Sequence, residues 1–274
     1  MNGKKWSGAT LLLLVLSIPG PWPALARDAV IADHRAAAAF GFIPEQFIKQ
    51  AKSQFRLYYG HTSHGSQIMT GLEMLRDALH SFNSGPGSLY IEETYGDLGH
   101  NGDLAWCDTT RARLNEPGNN INMVMWSWCG GVSNNTPQGI NAYLNAMSKL
   151  EQDYPHVTFV YMTGHTDGSG VSGNLNVRNN QIRNFCRKKG KVLFDFADIE
   201  SWDPAGQYYP DTSDDCGWCS AWCSTHTCPG CSDCAHSHCF NCYLKGEAFW
   251  WMMARVAGWA PGAGVPTSSI LLLD

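Results

Sequence analysis

A carboxylate stands three residues before an imidazole at Asp233-Cys-Ala-His236, and a serine stands in a glycine-flanked turn at Gly60-His-Thr-Ser63-His-Gly65. The Asp-x-x-His spacing lets one short turn present both side chains. The carboxylate can then hold the imidazole tautomer while the imidazole takes a proton from a distant hydroxyl. Early Ser63 with late Asp233 and His236 suggests nucleophilic hydrolysis, with Ser63 as nucleophile, His236 as base and Asp233 as its orienting acid. Ser66 is read as a helix cap for the segment that follows. His61 and His64 flank Ser63 and are candidates for substrate contact.

Other glycine-bearing loops offer further polar groups. Gly96-Asp97-Leu98-Gly99-His100-Asn101-Gly102-Asp103 leaves amides unshielded, and its acids do not complete a calcium loop. Trp126-Ser-Trp128-Cys129-Gly130-Gly131 and Thr163-Gly164-His165-Thr166-Asp167-Gly168 are two more such loops. His165 and Asp167 form a second possible acid/base pair or a substrate contact, although Asp167 can equally pin its own loop through backbone amides. Trp128 is a candidate for stacking on substrate. Asp211-x-Ser213-x-Asp215 lacks the closing acid of a calcium loop and reads as an ordinary turn.

The elements needed to position these loops are legible as alternating strands and helices. Strand-like runs cover roughly 55–59, 89–93, 121–126, 158–162 and 192–196, each followed by a Gly- or Asp-bearing loop. Apolar stripes predict helices through Ile68, Leu72, Leu75 and Leu79, through Ile140, Tyr143, Leu144, Met147 and Leu150, and through Val177, Ile182 and Cys186. A final, almost wholly apolar helix is predicted from Leu244 to Trp259. This alternation implies an α/β fold: a three-layer α/β/α sandwich with a parallel sheet of about five strands. Ligands of such sheets bind beyond the carboxyl ends of the strands, where these loops lie.

Residues 1–26 read as a secretory signal: Lys4 and Lys5, an apolar run from Ala9 to Ile18, and a small-x-small site at Ala24-Leu25-Ala26. The mature chain of about 250 residues suits one domain, 27–260, followed by a tail over 261–274. A net charge of -5 without a basic run argues against nucleic acid as a partner, and no later segment has the length of a membrane span. Eight of 11 cysteines fall between Cys216 and Cys242 in the pattern C-x2-C-x3-C-x4-C-x2-C-x2-C-x4-C-x2-C, within an insertion over 201–242. Behind a signal peptide, disulfides are expected over zinc. The odd total leaves at least one free thiol, with Cys107 the choice. Neither a metal nor another cofactor is expected.

The residues resemble the SGNH (GDSL-like) hydrolases over about Phe55 to Trp259. Gly60-His-Thr-Ser63 is similar to the family's nucleophile block, Asn101-Gly102-Asp103 to its second block, and Asp233/His236 to its last. The resemblance implies a flavodoxin-like sheet and ester hydrolysis, with oxyanion donors at Ser63, Gly102 and, in place of a missing asparagine, Gly130 or His165. The expected protein is an exported (secreted or periplasmic) serine esterase acting on O-acetyl groups of carbohydrates. The alternative is a non-catalytic glycan- or ligand-binding domain on the same fold.

Overall fold

The computed structural model describes Gly3 and residues 28–262. The segment read as a secretory signal, apart from Gly3, and most of the C-terminal tail therefore lie outside the described residues. In chain order the elements are β1 (Val30–Ala32), α1 (His34–Ala38), α2 (Glu45–Gln54), β2 (Arg56–His61), α3 (Ser63–Met74), β3 (Tyr90–Tyr95), α4 (Ala105–Leu114) and β4 (Met123–Trp126). They continue with α5 (Pro137–Asp153), β5 (Thr158–Met162), α6 (Asn174–Lys189), β6 (Val192–Phe194), α7 (Phe196–Glu200), α8 (Gly217–Cys223) and α9 (Cys239–Val256).

All strand pairings are parallel, in the order β1-β6-β5-β4-β2-β3. From β2 the chain steps outward to β3, then returns to β4 on the other side of β2. The order from β2 to β6 is thus the flavodoxin-like one, with its switch point between β2 and β4. The expected strands are all present, and β1 adds a sixth at the β6 edge. Three residues carry too little periodicity to mark a strand, so β1 escapes a reading based on pattern.

In one helical layer α1, α2 and α3 each pack on α9; in another, α4 and α6 each pack on α5. Helices α3 and α9 approach each other closely. A Cβ at Gly71 would stand 2.0 Å from the Cys242 carbonyl oxygen, so only glycine lets the two backbones meet there. Helix α9 buries Phe249, Trp250, Met252 and Met253, as its apolar sequence requires. Leu79, at the end of the predicted stripe, lies beyond α3. Asp77 Oδ1 accepts from the amides of Leu79 and His80, a local bond that competes with further helix.

The cysteine segment is oxidised: Cys216–Cys219, Cys223–Cys228, Cys231–Cys239 and Cys234–Cys242 are disulfides. The last two staple the turn carrying His236 to the first turn of α9. Three thiols are free: Cys107 and Cys186, both buried, and half-buried Cys129. Among the described residues no helix is long and apolar enough to cross a membrane.

Candidate active site

The switch point of the sheet brings the β2–α3 and β4–α5 connections together, and the candidate site forms where they meet. Chain leaving β2 enters α3 at once: Thr62 is the N-cap, and Ser63 and His64 are the first two helical residues. This sharp entry depends on two glycines, for reasons of space, since neither adopts a positive φ. A Cβ on Gly60 would stand 2.0 Å from the Trp126 ring, and one on Gly65 would stand 2.2 Å from Ser127 Oγ. Strand β4 and its following loop therefore press directly against the start of α3. Asp97 ties in the β3–α4 loop, accepting from Thr62 Oγ1 at 3.0 Å and from the Gly99 amide at 2.8 Å.

That compression sets Cys129 against α3. Its Sγ lies 3.2 Å from His64 Nδ1 and 3.4 Å from Ser63 Oγ. The other nitrogen of the same ring, Nε2, lies 2.9 Å from Asp214 Oδ2. A thiol, an imidazole and a carboxylate thus form one line, with nucleophile-to-base and base-to-orienter distances suited to proton transfer. His64 is buried, and burial is the main cause that lowers its pKa. Neighbouring His165 and His236 act the same way, while the bond to Asp214 opposes them. The net direction favours neutral imidazole, the form that can accept a proton.

Two more imidazoles stack on His64. His165, after β5, lies 3.7 Å away between ring centroids and nearly parallel; His236 lies at 4.5 Å. A buried polar network fixes these neighbours. Lys245 of α9 pairs with Glu200 at 2.9 Å, both fully buried, and donates to Gln67 Oε1 at 2.5 Å. Glu200 Oε2 accepts from the amide and hydroxyl of Thr166 at 2.7 and 2.9 Å, which anchors the loop beside His165. Gln67 donates to the carbonyl of Ala235, next to His236. One ion pair therefore holds α3, α7, α9 and two histidine-bearing loops in register. Burial lowers the Lys245 pKa, and Glu200 and Asp214 counteract it.

The sequence candidates fall into distinct places. Ser63 is at the site, but its hydroxyl meets a sulfur rather than an imidazole. His236 is also at the site, on an exposed turn at φ 62°, stacked on His64. Asp233 is exposed, and among the described residues no hydrogen bond or ion pair joins it to His236, or His236 to Ser63. His238 caps α9, its Nδ1 accepting from the Phe240 amide. Asp167 accepts from the amide and hydroxyl of Ser169 and so pins its own loop. His61 pairs with Glu93 at 2.9 Å, at the outer side of the strand end. Trp128 is buried, donates to the Met162 carbonyl at 2.9 Å and packs edge-on to Tyr143, so its ring belongs to the core. Gly102 sits at φ 85° in a turn against α5, where a Cβ would meet Ala142 at 3.6 Å; Gly130, at φ 83°, has open space around it. Ser66 donates to the Ser63 carbonyl instead of capping α3; the N-cap position is Thr62, whose hydroxyl donates to Asp97 and makes no capping bond.

Two residues of the line were not singled out from sequence. Cys129 stood in a recognised post-strand loop, and its isolation from the cysteine cluster was an available signal. Asp214 lay inside the segment read as an ordinary turn, 150 residues from His64. Nothing local marks it apart from its place just before the first clustered cysteine. Compared with protein-family models, curated proteins and solved structures, the chain matches none of them.

Proposed function

We propose that the protein is an ester hydrolase of SGNH-like build, with Cys129, His64 and Asp214 as its catalytic unit. The observation that carries this reading is the His64 ring held between Asp214 Oδ2 at 2.9 Å and Cys129 Sγ at 3.2 Å. In the proposed reaction, His64 Nδ1 takes the Cys129 thiol proton while Nε2–H donates to Asp214. The thiolate adds to the ester carbonyl carbon. On collapse, the C–O bond breaks and the alcohol leaves with the proton from His64. Water, deprotonated by the same imidazole, then hydrolyses the thioester and regenerates the thiol.

The oxyanion has a suitable place. Among the described residues, the amides of Ser63 and His64 in the first turn of α3 have no protein acceptor, and the positive end of that helix favours negative charge. The Gly130 amide borders the same loop. Ser63 also supports a second reading, in which its own hydroxyl is the nucleophile, since it is one contact from the same sulfur. Four disulfides suit an oxidising compartment, in keeping with export. Within this reading the substrates are O-acetyl esters of carbohydrates.

Hydrolysis of small acetyl esters and acetylated glycans by the wild type, Cys129→Ala and Ser63→Ala is the test. Cys129→Ala is expected to lose roughly 10³-fold or more in kcat/KM, and Ser63→Ala much less. The reverse order would support the serine reading. Glycan binding without turnover of any ester in the wild type would favour a non-catalytic ligand-binding domain.

A further inference from the structure

His64, His165 and Asp214 each bring a metal-type donor atom into one cluster, with the three atoms within 4.8 Å of one another. Two imidazole nitrogens and one carboxylate oxygen form a borderline donor set suited to zinc rather than to calcium or magnesium, which prefer oxygen throughout. The tautomer of His165 is already set for ligation. Its Nδ1–H donates to the Thr166 carbonyl at 2.7 Å, leaving the Nε2 lone pair free. Thr166 is itself anchored by Glu200, so the carbonyl that orients the ring is rigid. His64 meets Asp214 through Nε2 and Cys129 through Nδ1, on opposite edges of one ring. An ion at the Nε2 edge therefore does not need the thiol as a ligand.

We propose that a zinc-type divalent ion binds His64, His165 and Asp214 and reversibly switches off the thiol centre. The switch rests on the hydrolase reading above; the metal site does not. A metal bond at His64 takes the Nε2 lone pair, so the neutral ring's single proton must move from Nε2 to Nδ1. That nitrogen then faces Cys129 as a donor and can no longer take the thiol proton. Binding also breaks the stack: an ion must lie near the plane of each ligating imidazole, so the His165 ring rotates away from its 4° alignment with His64. Half-buried His165 and Asp214 have room for that movement. Three protein ligands leave a fourth position for water.

The test titrates zinc chloride into the metal-free, disulfide-intact protein by calorimetry, alongside acetyl-ester hydrolysis. One equivalent should bind to the wild type and to Cys129→Ala, and binding should fall roughly tenfold or more in His165→Ala and in Asp214→Ala, each checked for folding by circular dichroism. In the wild type, the bound equivalent should cost roughly tenfold or more in kcat/KM, restored by a chelator. Binding that survives His165→Ala, binding lost in Cys129→Ala, or undiminished hydrolysis at one bound equivalent would overturn the proposal. Failure of the hydrolase reading shows separately, as no turnover by metal-free protein with the calorimetric result intact.

Discussion

His64 meets two demands with one ring: it is buried enough to stay neutral, and it is held at both nitrogens. Asp214→Asn should preserve the ring's position but disturb its tautomer. Steady-state kinetics should show kcat falling by roughly 10²–10⁴-fold with little change in KM. Gly65 tests the packing beneath that ring. With Ser127 Oγ only 2.2 Å from an added Cβ, Gly65→Ala should destabilise the fold by about 1–3 kcal/mol in denaturant titration. It should also lower activity by shifting His64 away from Cys129. Ser63, His64, His165 and His236 were legible in the sequence because each lies in a loop that alternation places at the strand ends or just before the last helix. Their partnership was not. Asp-x-x-His spacing predicts a local pair, yet His236 turns toward His64 and the orienting carboxylate comes from Asp214, a contact that only the folded cysteine segment creates.

At the scale of elements, the buried Lys245–Glu200 pair links α9 to α7 and, through Gln67 and Thr166, to the site. Lys245→Met leaves Glu200 buried without its cation and should cost about 3–5 kcal/mol in chemical denaturation. Joining it to Glu200→Leu should recover much of that stability but not the activity, because Thr166 and the His165 loop lose their anchor. A double-mutant cycle on both readouts checks this separation. Strands β2 to β6 and the long helices α3, α5, α6 and α9 could be read from their apolar patterns, which their burial enforces; the shorter α1, α2, α4, α7 and α8 were not. The apolar pattern of α9 announced a buried helix but gave no hint that Lys245, within it, carries the central ion pair. Such a lysine becomes intelligible only when Glu200 is seen opposite.

The whole molecule combines a sheet covered by helices with a segment held by disulfides. Reduction should therefore impair hydrolysis before it melts the sheet, as followed by activity and far-ultraviolet circular dichroism during graded reduction. The bridges Cys231–Cys239 and Cys234–Cys242 hold the His236 turn, whereas the sheet contains none. Proton linkage gives a second global signature. Burial raises the pKa of Glu247 from 4.5 to about 8, and burial with nearby Asp198 raises that of Asp33 from 3.8 to about 6. Between its unfolded and folded values, each acid holds a proton only in the folded state. Unfolding releases that proton, so stability contributed by these groups falls as pH rises through the window. Glu247→Gln should flatten the fall between about 4.5 and about 8 in denaturation midpoints measured across that range.

The identity of the nucleophile is tested most directly by trapping the acyl-enzyme. The wild-type protein is acid-quenched during turnover of an activated acetyl ester, and the acetylated peptide is mapped by mass spectrometry. The acetyl group is expected on Cys129 as a thioester, released by hydroxylamine and absent after prior alkylation of that thiol. An acetyl group on Ser63 that persists when Cys129 is alkylated would contradict it.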